Sequence, residues 1–262
     1  MLLLACPMPI SLHLYKPLIF VGDSIMNMKK GILAGVAALG LSLSAQASFI
    51  NVGGVVWDPD SVNAFPAAQD FFSAGNLFEN FVVNPGDIVN GFGIFDQMNN
   101  DTNNSAAFCP GCELTFTFSM ELVSFVGNTF TFKDLFIEIF VDHTPDYAAT
   151  ALTSGNGTLW LELTGNGLLT GVGTDLGTGS DTGTGSSLLD ATGGLAMGNF
   201  DTNGEANGAD MVLSSSFQPA GAGGPAPLRG TFELTGDSIP EPASIALLGL
   251  GLLGLARSRM RT

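Results

Sequence analysis

Alternation of apolar and polar residues is strongest between Glu113 and Asp142. Leu114, Phe116, Phe118, Met120 and Leu122 alternate with Thr115, Thr117, Ser119 and Glu121. That is the period of a strand with one buried face. Gly127-Asn128 follows as a turn. The next strand opens with Phe130 and Phe132 facing in. It then changes phase at Lys133-Asp134, so that Leu135, Ile137, Ile139 and Val141 face in. A one-residue change of phase predicts a β-bulge. Residues 113–142 therefore read as a long antiparallel hairpin.

Shorter strand candidates are Phe49–Trp57, Ile88–Phe95, Thr158–Leu163, Met211–Phe217 and Thr231–Thr235, each bounded by Gly, Asn, Asp or Pro. The segment between Ala67 and Phe81 has a weaker pattern, and a short helix is the reading it allows. Between Gly155 and Gly208 lie fifteen of the chain's 35 glycines, mostly alternating with Thr, Ser, Asn and Asp. Such a stretch buries little apolar surface. It reads as long surface loops or poorly packed strands, with Leu188, Leu189 and Leu195 pinning it to the core. Many short strands, frequent turn signals and little helix predict an all-β fold. The expected form is an antiparallel β-sandwich or jelly-roll-like domain with long Gly-rich loops and a phenylalanine core.

Two hydrophobic segments stand outside this pattern. Near the front, Met28-Lys29-Lys30 is followed by an apolar run from Gly31 to Ser44 and by Ala45-Gln46-Ala47. A positive start, an apolar stretch and an A-x-A site make a signal peptide over 28–47, cut by signal peptidase between Ala47 and Ser48. Residues 1–27 then read as an extension upstream of the true start, with Met28 the preferred initiator. Within it, Gly22-Asp23-Ser24 resembles the nucleophile block of SGNH hydrolases. That family needs a late Asp-x-x-His, but Phe140 stands three before His143, and Ser24 precedes the cleavage site. Leu3-Leu-Ala-Cys6 lacks the leader of a lipoprotein.

At the other end, Pro240-Glu241-Pro242 precedes an apolar run from Ala243 to Ala256, and Arg257, Arg259 and Arg261 close the chain. A run of fourteen residues falls short of the roughly 20 of a lasting span. Glycines at 249, 251 and 254 weaken the helix further. The arginines mark a cytoplasmic flank, which places everything before Pro240 outside the inner membrane. The prolines hold 239–242 extended, as a processing enzyme requires of its substrate. The Pro-Glu-Pro, the Ala-Ser after it, the leucine-glycine run at 247–255 and the terminal arginines resemble the PEP-CTERM tail of Gram-negative bacteria. The resemblance is confined to Pro240–Thr262 and implies an exosortase as partner, with a short C-terminal transmembrane helix as a transient anchor; the sorting signal as a whole is 239–262. The exported domain is then 48–238.

Charge narrows the partners of that domain. Of the chain's 24 acidic residues only Asp23 and Glu241 lie outside 48–238, and of its 8 basic residues only Lys133 and Arg229 lie inside. A net charge of about −20 excludes nucleic acid and anionic membrane surfaces as partners. Cations and hydrated matrix remain. Cys109 and Cys112 are the only cysteines of the exported part. They open a strand rather than a helix, and further soft ligands are lacking. A small disulfide loop is therefore expected rather than a redox or zinc site.

Catalytic patterns are scarce. His143 beside Asp142 has no nucleophile motif near it. The one ligand-like constellation is Asp201, Asn203, Glu205, Asn207 and Asp210, oxygen ligands at alternating positions in a glycine-containing loop, as Ca²⁺ binding needs. It resembles an EF-hand loop at positions one, three and five, but Val212 stands where the closing Glu belongs. Asp96–Asn103 is a second oxygen-rich loop. Three functions compete. The first is a non-catalytic surface or matrix protein associated with exopolysaccharide, biofilm or flocs. The second is a carbohydrate-binding or carbohydrate-active jelly-roll module. The third is ice binding, for which Thr115/Thr117 and Thr129/Thr131 give two Thr-x-Thr pairs.

Overall fold

The computed structural model describes residues 49–61 and 69–239. The extension at 1–27, the signal peptide with Ala45, Ala47 and Ser48, and the tail with Pro240, Glu241, Pro242, Arg257, Arg259 and Arg261 lie outside the described residues. No helix among the described residues is long and apolar enough to cross a membrane.

A short hairpin, β1 (Ile50–Val52) and β2 (Val55–Trp57), precedes the main sheet. The sheet comprises β3 (Phe71–Glu79), β4 (Ile88–Met98), β5 (Glu113–Val126), β6 (Thr129–Asp142), β7 (Thr158–Gly165), β8 (Leu169–Thr174), β9 (Thr182–Gly193), β10 (Met211–Pro219) and β11 (Leu228–Gly236). Every pairing is antiparallel. Around the sheet the order is β10, β11, β3, β4, β5, β6, β7 and β9, and β9 pairs back with β10. β8 follows β7 in line: it bridges the first half of β6 to β9, while β7 bridges the second half. The sheet is thus an eight-position closed barrel, the closed relative of the expected sandwich, and closure removes the edges.

The 113–142 hairpin forms with the expected turn and faces. Asp134 has a positive φ of 52°, and the register slips opposite it, between Ser119 and Glu121. A second slip, at Val123, brings Phe125 into line over one barrel end. Two expectations fail. The segment expected to allow a helix contains β3, whose interior row is Phe71, Ser73, Gly75, Leu77 and Glu79, too small and polar for an apolar count to find. The glycine-rich stretch contains the expected strand as β7, and in place of long loops it also supplies β8 and β9, both paired in the barrel. Leu189 is buried there, but Leu195 is exposed.

Interior phenylalanines and interior glycines fit together. A Cβ at Gly91 would lie 2.1 Å from the Phe118 ring, and one at Gly171 2.2 Å from Phe130. A Cβ at Gly93 would meet both the Phe116 ring and the Asn76 carbonyl. Each ring occupies the space that a side chain across from it lacks, so a barrel of short strands accommodates many large rings.

The two barrel ends differ. One is sealed by Trp57, Phe71, Trp160 and Phe200, with Trp57 stacked on Phe200 at 5.3 Å and Phe71 edge-on to Phe200 at 4.7 Å. Trp160 Nε1 donates to the Val52 carbonyl (2.9 Å), tying the β1–β2 hairpin onto this end. The other end holds a small cavity beneath the loops at 80–87 and 175–181.

Candidate functional site

The described chain ends at the sealed end of the barrel, and its last residues are held there. The Ser238 amide donates to Asp70 Oδ1 (2.7 Å) and its hydroxyl to the same oxygen (3.1 Å). Trp57 Nε1 donates to Ser238 Oγ (3.1 Å). The Ile239 amide donates to the Asn199 carbonyl (2.8 Å), and Asn199 Nδ2 donates to the Ile239 carbonyl (3.0 Å). Ser238 and Asn199 are each 6% exposed. Burial, with smaller contributions from Asp237 and Asp60, pushes the Asp70 carboxyl up to about 6 against the opposing pull of the Ser238 donors. Pro240 is the next residue in sequence, so the Pro-Glu-Pro follows the folded barrel without a linker.

The oxygen-rich loop at 201–210 is built for its own backbone. Asp210 is buried and accepts from the amides of Ala191 (2.8 Å), Thr202 (2.8 Å) and Asn203 (2.7 Å). Asp201 accepts from Asn203 Nδ2, and Glu205 from Gln69. The side chains of the loop at 96–103 are likewise used by backbone: Asn99 accepts from the Phe72 amide and Asn103 from the Ala106 amide. The acids that do converge were not singled out from sequence. Glu113, Asp142 and Asp146 bring one oxygen each to within 4.8 Å of one another. Only the fold joins the first residue of β5 to the last of β6 and the loop after it. Burial raises the Glu113 carboxyl, opposed by the Asp146 and Tyr147 amides that donate to it. Burial, then the acids Asp96 and Glu113, push the Tyr147 hydroxyl up to about 12. These three are the described carboxylates best placed for a hard cation, though Ca²⁺ takes six to eight oxygens.

Cys109 and Cys112 form a disulfide, fully buried where the helical turn at Asn104–Phe108 leads into β5. His143 is exposed. The threonine pairs do not form one array. Thr115 is buried beneath the 143–157 segment and donates to the Ser154 carbonyl, while Thr117 lies opposite Glu138 and Thr129 opposite Val126. A different hydroxyl face exists on the outside of β8 to β11. Thr170, Thr184, Ser186, Ser214, Ser216 and Thr231 line a shallow groove there.

The cavity beneath the loops at 80–87 and 175–181 is almost wholly apolar. Among its walls are Val89, Phe95, Phe116, Met120 and Leu163, and Glu79 faces into it. Glu79 is 7% exposed, and burial pushes its carboxyl up to about 8.

Comparison with known proteins adds one finding. Residues 238–261 match the PEP-CTERM protein-sorting motif. The motif implies an exported protein of Gram-negative bacteria that an exosortase processes. No curated protein and no solved structure matches the chain.

Proposed function

We propose that this PEP-CTERM-tailed chain is a non-catalytic cell-surface or extracellular-matrix protein. The signal peptide at 28–47 directs export, and signal peptidase cuts after Ala47. The short apolar run at 243–256 holds the chain in the inner membrane transiently, with Arg257, Arg259 and Arg261 on the cytoplasmic side. An exosortase then cuts near Pro240–Pro242 and passes the barrel to the envelope or the exopolysaccharide.

The observation that carries this reading is the motif match at 238–261. The barrel end supports it. The network around Ser238 and Ile239 fixes the start of the matched segment, so a folded cargo stands directly beside the processing site. The acidic surface and the hydroxyl groove across β8 to β11 suit a hydrated polysaccharide matrix more than an apolar or anionic partner. The disulfide occupies the thiols of Cys109 and Cys112, and His143 has no nucleophile beside it, which weighs against acyl-transfer chemistry.

The test is genetic and cellular. Deleting the gene is expected to weaken flocs or biofilm. Removing residues 240–262 is expected to keep the protein from the surface fraction. An unchanged location without the tail would refute the sorting reading, and an unchanged floc and biofilm phenotype would refute the matrix role.

A further inference from the structure

Glu79 is the last inward position of β3, where strict alternation delivers a carboxyl into the barrel rather than to solvent. A buried carboxyl normally carries a cation or several donors. Among the described residues Glu79 has neither: only burial acts on it. Lys133 pairs with Glu121 and Asp134 outside the barrel. Besides Glu79 the wall holds few polar side chains, Asn80, Asp181, Ser215 and Ser216, and three of these are engaged elsewhere, Ser216 with Thr231. Asp181 accepts from the amides of Gly177 (2.5 Å) and Gly179 (2.8 Å), and Asn80 bonds the Ile88 carbonyl and the Asn90 amide. An apolar chamber with one unpartnered acid in its wall is the reverse of a close-packed core.

The chamber measures about 70 Å³. That is about half of an apolar cavity that takes up benzene. A water needs two to four polar partners to be held in such a place, and these walls are mostly phenyl and aliphatic. A group with an apolar body and one polar atom suits them better. Burial keeps Glu79 neutral below about pH 8, so it offers one O–H donor and one C=O acceptor. The negative charge of the domain disfavours an anion. A cation entering this chamber would first have to be stripped of its water.

We propose that the barrel interior binds a small uncharged amphiphile, a body of about three or four carbon atoms bearing one hydroxyl or carbonyl oxygen, with that oxygen hydrogen-bonded to the Glu79 carboxyl. The site is independent of the tail and of the matrix role.

The test uses the full chain, with the Met120 methyl as an NMR reporter in the cavity wall. The probes are 1-propanol, propionate, propylammonium and xenon at pH 7. 1-Propanol is expected to shift the Met120 signal saturably. Glu79→Gln, which keeps a donor and an acceptor, should bind it within about threefold of the original. Glu79→Leu should weaken 1-propanol at least about tenfold while still taking up xenon. Failure of both 1-propanol and xenon to shift Met120 would overturn the site. Equal 1-propanol binding by Glu79→Leu would overturn the role of the acid. Tighter binding of propylammonium or propionate than of 1-propanol would overturn the uncharged class.

Discussion

Glu79→Gln should make the protein less sensitive to alkaline pH, and the size of the effect follows from the burial of one carboxyl. In the unfolded chain Glu79 titrates near 4.5, and in the barrel burial raises it to about 8. The native state therefore holds the proton more tightly. The favourable contribution is fully present below pH 4.5 and is lost as pH rises through 8. A displacement of about 3.5 units at about 1.4 kcal/mol each gives a loss of about 5 kcal/mol over that window. That is comparable with the total stability of many domains. Gln keeps the shape and hydrogen-bonding capacity but does not titrate. The assay is urea unfolding of the full chain and of Glu79→Gln at pH 5 and pH 9, with stability taken from midpoint and slope. Between the two pH values the variant should gain several kcal/mol on the original chain. Asp70, raised to about 6, and general charge repulsion add their own slopes, but both are common to the two proteins and cancel in the difference. An equal gap at pH 5 and pH 9 would refute the reasoning, because Glu79 would then be ionised in the fold or exposed.

Gly93→Ala should destabilise by about 3 kcal/mol, because its Cβ would stand 2.1 Å from a carbonyl oxygen of the paired strand and 2.5 Å from the Phe116 ring. Gly198→Ala, with nothing within 4 Å, should be neutral or stabilising by up to about 1 kcal/mol. Thermal unfolding distinguishes the two. Asp210→Ala removes the acceptor of three backbone amides and should cost about 3 kcal/mol. The loss should be the same with calcium or with chelator, and a loss confined to calcium-loaded protein would return the 201–210 loop to the role of metal site. Ser238→Ala strips the Trp57 indole of its acceptor and should cost about 1–2 kcal/mol, with faster hydrogen exchange at the Ile239 amide. Reducing Cys109–Cys112, which closes a very short loop, should cost only about 2 kcal/mol in urea titrations.

What the sequence discloses about the fold depends on whether a strand's pairing energy comes from its own alternation. The 113–142 hairpin is legible because its inward row is Leu, Phe, Met and Ile throughout. Even the bulge at Asp134 shows as a slip of phase. β3 and β9 are not legible because their inward rows contain Ser73, Gly75, Gly183 and Gly185. The apolar surface that buries them belongs to other strands: the Phe232 ring would stand 2.8 Å from a Cβ at Gly75, Phe217 2.8 Å from one at Gly183 and Phe130 3.0 Å from one at Gly185. The signal was present as a surplus of phenylalanine on some strands and of glycine on others, but matching them requires the register. The same deficit hides closure, since the β9–β10 seam joins a glycine-rich strand to a serine-rich one.

The candidate sites divide in the same way. The sorting motif is contiguous, so sequence alone finds it. The Glu113, Asp142 and Asp146 cluster and the Glu79 chamber are assembled across strands and are invisible without the sheet. Their placement has a consequence for how the molecule works. β3 runs from Phe71, beside the Asp70 that holds Ser238, to Glu79 in the chamber. Eight residue steps at about 3.3 Å separate them by roughly 26 Å. β11 runs antiparallel beside it, with Gly236 opposite Phe71 and Leu228 opposite Glu79. The strand that leads into the sorting motif therefore has its other end at the chamber. At the Ser238 end the rings of Trp57, Phe71, Trp160 and Phe200 pack against one another in a cluster that resists partial deformation. The barrel thus presents its processed terminus at one end and its unpartnered acid at the other, so binding in the chamber need not disturb the network around Ser238 that the sorting motif begins from.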